Sequence, residues 1–467
     1  MNIEHRTSEI RRGSSRPIDQ AAGATGPTVD VTLQLCPERR FIRPSGSFRH
    51  VDFQIRVGPA PTGAGADRMP LTLALVLDRS GSMQGEKLAT AKRAALAVLD
   101  RLEARDRAAV VVFDNQVDVV QPVEPVTAAA RARVRAALAA IGARASTALH
   151  EGWLTGCQSI AGDIAPDGGR SLARCFLLTD GLANVGVVDP ELIAADAARI
   201  REHAGIGTST FGIGADYDER LLGPMAVAGG GQFHHLRAAS EIASTFVGEL
   251  GGLLAVAASR VRLELEVEWG VTVDVVSAYW ARTASPDEPA GAPGGRRWSI
   301  AIGDLLAGEE RHVVVRFGFP SASGRYTHAV RARLAWSAAG IEWSTTWQEV
   351  GFSYADHGTC DAEVRDQAVM HWVGLHHADR ARREAAEQSR RGDLREAREG
   401  LRKVASQIAS YADSDSALQA ALRELQAVEH EVAAAPVAAM VAKELAAESY
   451  RRSRGQRDLR SLRCSEE

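Results

Sequence analysis

Short apolar runs alternate with segments of helical periodicity from Leu71 to about Ala258. The runs are LTLALVL (71–77), AAVVVF (108–113), CFLLT (175–179) and GTSTFGI (207–213), and they have the length and residue types of parallel strands buried on both faces. The intervening segments predict helices over 85–102, 128–141, 149–164, 190–203, 218–228 and 240–257. Few folds accept such an alternation, and it predicts a doubly wound α/β domain over residues 70–258.

The segments on either side of this region have a period of two instead. Residues 28–69 and 259–357 contain runs in which apolar and polar residues alternate, as they do in half-buried strands. The two runs before the α/β region, VDVTLQL and SFRHVDFQIRV, are too few for a free-standing sheet. We therefore expect them to join the strands of 259–357 in one β-sandwich, into which the α/β domain is inserted. Residues 1–27 are polar and aperiodic, which predicts a disordered arm.

Helical periodicity returns after Cys360 and continues over 361–462. Apolar residues recur on two stripes, which is typical of helices that pack against a core. Breaks at Gly392, at 412–416 and at Pro436 divide this α-helical C-terminal region into a helical hairpin or a small bundle. The region is a candidate contact for a second protein partner.

Charge and cysteine content narrow the classes of function. The 55 Lys and Arg residues nearly balance the 59 Asp and Glu residues, and a net charge of -4 is too small to indicate a nucleic-acid or anionic-membrane surface. Five cysteines without a CxxC pair indicate reduced thiols. The N-terminus lacks the apolar core of a signal peptide, and the longest apolar run near the C-terminus, 432–442, is too short to span a bilayer. We therefore expect a cytoplasmic protein without a membrane span.

Carboxylates and hydroxyls follow two of the predicted strands at the point where each strand ends. LTLALVL runs directly into Asp78, Ser80 and Ser82, and CFLLT is followed by Asp180. Because the carboxyl ends of parallel strands meet at one edge of a sheet, we expect these side chains to lie close together. Thr147, at the entry of a predicted helix, is a third hydroxyl donor. Two carboxylates and three hydroxyls without His or Cys indicate Mg²⁺, Mn²⁺ or Ca²⁺ rather than zinc.

The spacing of these residues resembles the metal-ion-dependent adhesion site of the von Willebrand factor type A (VWA) family. That site has the pattern DxSxS, then a Thr, then an Asp often followed by Gly, and here DRSGS (78–82), Thr147 and DG (180–181) fill the pattern. LVLDRSGSMQGEKL and LLTDGLANVG look like the bacterial members that are similar to calcium-activated chloride channels and inter-alpha-trypsin inhibitor heavy chains. One departure is Ala145-Ser146 before Thr147, where many members have two glycines.

The resemblance implies a Rossmann-like fold and a mode of binding. In the family the hydroxyls bind the metal directly, the carboxylates bind it directly or through water, and an acidic side chain of a partner takes the remaining position. Carried over to this chain, the resemblance makes Asp78, Ser80, Ser82, Thr147 and Asp180 the metal-site residues, with Mg²⁺ as the expected ion.

The histidines are weaker candidates for a metal centre. His234 and His235 are adjacent on a predicted edge strand, so alternation directs their imidazoles to opposite faces. His371, His376 and His377 have spacings that do not stack on one helix face. We expect core or surface positions for them.

The leading hypothesis is a non-enzymatic module that binds an Asp or Glu of a partner protein through a divalent cation. The alternative is a hydrolase in which the same ion activates water. Against the hydrolase, the sequence shows no obvious general base beside the metal ligands. A channel is suggested only by names within the family, and the lack of a spanning segment in the sequence counts against it.

Overall fold

The computed structural model describes residues 15–17, 29–59, 69–144, 146–164, 171–283, 295–322, 326–338, 341–434 and 447. Its strands, in chain order, are β1 Ser15–Pro17, β2 Val31–Pro37, β3 Phe41–Ile42, β4 Ser47–Val57, β5 Leu71–Asp78, β6 Arg107–Phe113, β7 Val117–Pro125, β8 Leu172–Thr179, β9 Ile206–Ile213, β10 Gly230–Leu236, β11 Val256–Val267, β12 Thr272–Val275, β13 Trp280–Thr283, β14 Arg296–Leu306, β15 Glu310–Phe319, β16 Thr327–Ala338, β17 Ile341–Thr345 and β18 Gln348–Tyr354.

The helices begin and end at recognisable signals. Asp189, Asp218 and Asp366 each accept hydrogen bonds from backbone N–H groups at a helix start, and Gly392 adopts a left-handed conformation (φ 88°) after the longest helix. The helices are α1 Glu86–Arg101, α2 Ala128–Ala140, α3 Leu149–Ile164, α4 Pro190–Ala204, α5 Glu219–Ala228, α6 Ile242–Leu254, α7 His357–Ala362, α8 Gln367–Arg391, α9 Leu394–Ala409 and α10 Ser416–Ala434.

The α/β region forms a six-stranded sheet with the order β10-β9-β8-β5-β6-β7. Every pairing in it is parallel except that of β6 with β7. Side chains of β5 alternate between two cores: Leu73 and Leu75 pack in a cluster with residues of α1 and α6, whereas Ala74 and Val76 pack with residues of α3, α4 and α5. Helices therefore cover both faces of the sheet, and the predicted doubly wound α/β fold is confirmed.

The strands on either side of the α/β region form two further sheets. β2, β4, β15 and β12 make one of four strands, while β11, β14, β16 and their neighbours belong to one of eight strands. The predicted pairing of the N-terminal runs is present, since β4 lies antiparallel to β15 with Val51 opposite Val315. Phe53, Leu263 and Phe352 belong to one buried cluster that draws on both sheets. The division of the chain into an inserted domain and a surrounding sandwich stays a prediction.

Two expectations about local structure are corrected, and one strand was not predicted. Ser15–Pro17, inside the segment predicted to be disordered, pairs with β17, while the rest of 1–27 lies outside the described residues. The strand β7 was not predicted. The helix expected over 240–257 ends at Leu254, because Val256 already pairs with Leu306 in the ladder between β11 and β14.

The C-terminal helices pack on one another and on the four-stranded sheet. Val373 of α8 and Leu418 of α10 share a buried cluster with Val276 and Val314. The predicted breaks at Gly392 and at 412–416 fall between helices, whereas Pro436 lies outside the described residues. Within the described part of the chain, no helix combines the length and the apolar character needed to cross a membrane.

Candidate metal-binding site

The carboxyl edge of the six-stranded sheet brings the two predicted aspartates together. β5 and β8 are adjacent and parallel, with Leu77 opposite Leu178, so both strands end at the same level. Asp78 is the last residue of β5, and Asp180 follows Thr179 at the end of β8. Both aspartates are fully buried. Two carboxylates are therefore enclosed where open α/β sheets bind their ligands.

Asp78 is oriented by two hydrogen bonds. The Ser80 backbone N–H donates to Oδ1 (2.7 Å), and the Thr179 hydroxyl donates to Oδ2 (2.5 Å). Burial raises the pKa of Asp78 from 3.8 to about 6; the hydrogen bonds oppose this rise, and the neighbouring Asp180 carboxylate adds to it. A cation bound beside Asp78 would favour its ionised form.

Ser80 and Ser82 connect the Asp78 carboxylate to the Asp180 carboxylate. After β5 the chain turns through a short 3₁₀ helix, Gly81–Met83. Ser80 Oγ lies 3.1 Å from Ser82 Oγ, and the Ser82 hydroxyl donates to Asp180 Oδ1 at 2.6 Å. Ser80 is buried and Ser82 is exposed, so the cluster opens to solvent on the Ser82 side.

Thr147 reaches the same edge from the segment before α3. Its N–H donates to Asn184 Oδ1 (2.9 Å), and the Asn184 N–H donates to the Thr147 carbonyl (3.2 Å). Thr147 is buried. These two hydrogen bonds join the Thr147 segment to the loop that follows Asp180.

Gly181 shows how closely the three hydroxyls converge. An ideal Cβ at Gly181 would lie 3.5 Å from Ser82 Oγ, 3.6 Å from Thr147 Oγ1 and 4.0 Å from Ser80 Oγ. Hydroxyl oxygens from two distant segments thus surround one cradle beside Asp180, and the glycine leaves it open. Neutral oxygen donors next to buried carboxylates suit a hard divalent cation. The structure brings all five predicted residues into one cluster, and their role as metal ligands stays a prediction.

A cation of the chain itself already faces this cluster. Lys87, in the first turn of α1, forms an ion pair with Asp180 through Nζ and Oδ2. The Lys87 side chain is 32% exposed, so the ammonium has access to water. Asp180 is therefore shared between the Ser82 hydroxyl, which donates to Oδ1, and the Lys87 ammonium, which pairs with Oδ2.

An ion-pair network supports the segment that carries Thr147. Arg79 Nε lies 2.9 Å from Asp114 Oδ2, and Arg144 Nε donates to the same oxygen at 2.6 Å. The Arg144 N–H donates to the Arg79 carbonyl (2.8 Å), and the Ala148 N–H donates to the Asp114 carbonyl (2.6 Å). The network therefore ties the DRSGS turn, the end of β6 and the Thr147 segment to one another.

Sequence reasoning missed Lys87, Asn184 and Asp114. Lys87 contacts a residue 93 positions away, and Asn184 contacts one 37 positions away. The only available signal was that Lys87 and Asn184 lie within the stretches that resemble the VWA family, GEKL and LANVG. No periodicity or spacing assigns either residue a partner.

The histidines of the described residues do not form a metal centre. His234 pairs with Glu249 (3.1 Å), whereas His235 faces the Tyr217 hydroxyl (2.7 Å), and these partners belong to opposite faces of the sheet as expected. His376 is buried, as expected for a core histidine. Within the described residues no group of three or more His, Cys, Asp or Glu side chains is placed to hold a metal. The candidate site instead draws on hydroxyl oxygens.

Comparison with known proteins supports the resemblance noted above. The family model of the von Willebrand factor type A domain matches residues 72–246. The uncharacterized protein sll0103 of Synechocystis sp. is 29% identical over 259 residues, which are 55% of this chain and 60% of that protein. Human inter-alpha-trypsin inhibitor heavy chain H4 is 30% identical over 186 residues, which are 38% of this chain and 20% of that protein.

A plant relative and a solved structure extend the comparison beyond this domain. The E3 ubiquitin-protein ligase WAV3 of Arabidopsis thaliana is 25% identical over 342 residues, which are 69% of this chain and 41% of that protein. The chain thus spans at most 60% of the length of these relatives. The structure of a von Willebrand factor type A protein from Catenulispora acidiphila is 19% identical, covers 84% of this chain and 89% of its own, and has a TM-score of 0.64. At this identity the match supports the fold alone.

Proposed function

Because residues 72–246 of this chain form a von Willebrand factor type A domain, we propose that the chain is a protein-binding module whose contact depends on a divalent cation. The ion, Mg²⁺ in first place and Ca²⁺ or Mn²⁺ as alternatives, would be held by the five clustered residues. The observation that carries this proposal is the convergence of three hydroxyls beside two buried carboxylates. The five ligands are Asp78, Ser80, Ser82, Thr147 and Asp180.

The arrangement of these ligands suits recognition of an acidic side chain. Hydroxyl ligands are neutral, so they leave a bound ion electrophilic, and the chemistry that such an ion supplies is attraction of a further carboxylate. Asp78 is fixed by its two hydrogen bonds and does not turn toward solvent. Ser82 lies at the exposed side of the cluster, so a partner's Asp or Glu would approach there.

We propose a non-enzymatic role for this site. A hydrolase that activates water on the ion is usually assisted by a general base beside the metal ligands, which takes up the proton of that water. The charged side chain paired with Asp180 is Lys87, and the side chain bonded to the Thr147 backbone is the neutral amide of Asn184. The ligase name of the plant relative describes a protein of which this chain matches 41%. Neither the partners of Asp180 and Thr147 nor the name of the plant relative favours hydrolysis.

Two further parts of the proposal concern location and a second partner. Cys36, Cys157, Cys175 and Cys360 are all free, which supports a reducing compartment such as the cytoplasm. The C-terminal helices α8 to α10 form a compact unit on the four-stranded sheet and remain a candidate second contact.

The proposal is tested by metal titration followed by capture of partners. Calorimetric titration with Mn²⁺ should show binding to the wild type and loss of binding in Ser82→Ala, which removes one hydroxyl. Ser159→Ala, a matched substitution within α3, should bind Mn²⁺ normally. Partners captured from native lysate in Mg²⁺ should then be lost in chelator and in Ser82→Ala, and be kept in Ser159→Ala. Capture that is unaffected by chelator would refute the proposal.

A further inference from the structure

An unusual concentration of exposed aliphatic side chains follows the candidate metal ligand Asp180. Of the ten large hydrophobic side chains that are exposed in the described residues, five lie within an eleven-residue stretch, and two of these, Leu182 (56% exposed) and Leu192 (57% exposed), remain more than half accessible. Apolar groups gathered on a surface mark interaction sites more often than single ones do. We call the five the apolar rim: Leu182, Val185, Val187, Val188 and Leu192.

The apolar rim is anchored to the metal-site cluster at one end and to a helix at the other. Asn184, which lies between Leu182 and Val185 in the chain, exchanges two hydrogen bonds with the backbone of Thr147. At the other end, the Asp189 side chain accepts the backbone N–H of Glu191 (2.8 Å) and caps α4. Leu182 and Val185, which flank Asn184 and follow Gly181 closely, therefore lie on the loop that borders the hydroxyl cradle, and the other three rim residues continue from it toward α4.

The charges at the site indicate what should lie against this rim. Asp78 and Asp180 carry two negative charges, and Lys87 carries one positive charge. A bound divalent cation would neutralise the two carboxylates and displace Lys87 from Asp180, and the displaced ammonium would leave about one positive charge beside the site for an anion to balance. The neighbouring ion-pair network adds no net charge, because it contains two arginines and two aspartates: Arg79, Arg144, Asp114 and Asp118.

We propose that the partner is a peptide segment in which an Asp or Glu is flanked closely by aliphatic residues. The carboxylate would complete the ion, and Leu, Ile or Val side chains within about three positions of it would cover the apolar rim. This inference rests on the proposed function and adds the side-chain chemistry of the partner. Removing two covered aliphatic contacts should weaken binding about tenfold or more, as truncation at interface hot spots does.

The experiment selects peptides from a random twelve-residue phage library on the full-length chain in Mg²⁺ and elutes them with EDTA. Enriched peptides should contain an acidic residue with aliphatic neighbours. Synthetic versions should bind Leu182→Ser with Val185→Ser at least about tenfold more weakly than wild type, while Mn²⁺ titration shows an intact metal site. The matched control is Val364→Ser, because Val364 is 82% exposed but lies between α7 and α8.

The outcomes separate the two levels of the proposal. An absence of EDTA-eluted enrichment would refute the metal-dependent function itself. Enriched acidic peptides without an aliphatic preference, or unchanged affinity for the rim variant, would overturn the rim assignment and leave the metal site standing. Binding that persists after the acidic residue of a selected peptide is replaced by its amide would show an ordinary apolar surface and also overturn the inference.

Discussion

Replacing Asp78 by Asn should stabilise the metal-free protein at neutral pH. Asp78 is fully buried, and its pKa is raised from 3.8 to about 6. In the metal-free fold the ionised carboxylate is therefore less favourable than in the unfolded chain by about 3 kcal/mol, an upper bound because local relaxation reduces it. Asn keeps the shape of the side chain and an acceptor for the Ser80 N–H, while the Thr179 hydroxyl can accept from the new amide.

The size of this stabilisation by Asp78→Asn depends on pH within a defined window. Because the folded pKa of Asp78 is raised, the folded state binds a proton more tightly than the unfolded state between pH 3.8 and about 6. The contribution of Asp78 to stability is therefore lost as the pH rises through that window. In chelator at pH 7.5, Asp78→Asn should unfold several degrees above wild type, at about 2–4 °C per kcal/mol for a domain of this size. Near pH 4 the difference should disappear.

Saturating divalent cation should make the wild type more stable than Asp78→Asn. An ion present at 1,000 times its dissociation constant stabilises the wild type by about 4.1 kcal/mol, which exceeds the advantage of about 3 kcal/mol that the substitution gives without metal. Asp78→Asn lacks one ligand charge and should respond little. Differential scanning calorimetry with Mg²⁺ and with chelator measures both effects. Asp106→Asn is the matched control, because Asp106 is also buried and accepts the Leu71 N–H (2.9 Å) at the opposite end of β5. Its response to Mg²⁺ should equal that of wild type.

This prediction would be refuted if Asp78→Asn melted at a lower temperature than wild type in chelator at pH 7.5 and if Mg²⁺ raised its melting temperature by as much as that of wild type. Such a result would mean that Asp78 acts only through its hydrogen bonds within the fold.

Three further perturbations test neighbouring parts of the account. Asp180→Ala should abolish Mn²⁺ binding in calorimetric titration. The fold should be kept, because the freed Lys87 ammonium reaches water. Mn²⁺ binding at wild-type affinity would contradict the role of Asp180 as a metal ligand. Gly181→Ala should leave the melting temperature nearly unchanged, because its Cβ meets no atom closer than 3.5 Å, but should weaken Mn²⁺ binding by narrowing the cradle; unchanged affinity would place the ion elsewhere. Burial lowers the pKa of His376 to about 3 and that of His377 to about 4. Below pH 6.5 the unfolded chain therefore takes up protons that these folded histidines do not, which destabilises the fold in acid. As the pH is lowered, the wild type should lose its helical circular dichroism at a higher pH than a His376→Leu, His377→Gln variant does.

The sheet that carries the site was predictable because its central strands are buried on both faces. Continuous apolar runs such as LTLALVL have few alternatives to a parallel strand. β7 was missed because Val117–Pro125 is only partly buried and contains two prolines, which are tolerated at an edge strand but read as breaks in sequence. The end of α6 was misplaced because pairing between β11 and β14, a long-range interaction, decides where the helix stops.

The candidate ligands were predictable because four of them lie at the end of a strand or within four residues after it. Thr147 was predicted from its place at the entry of a helix and from the resemblance, not from a strand end, and the structure explains its position through Asn184 and the Arg79 network. The roles of Lys87 and of the apolar rim could not be predicted from the sequence. A lysine in a first helical turn and aliphatic residues after TDG have no distinctive pattern until their exposure and partners are known.

The central claim is that one divalent cation binds among the three hydroxyls and two carboxylates. Crystals grown with Mn²⁺ and measured at its absorption edge test this claim most directly, because anomalous scattering locates the ion without assumptions about its ligands. The account predicts a single strong peak about 2.0–2.4 Å from Ser80 Oγ and Ser82 Oγ, with Lys87 displaced from Asp180. A Mn²⁺-saturated crystal in which Lys87 remains paired with Asp180 and no peak lies in the cradle would contradict it.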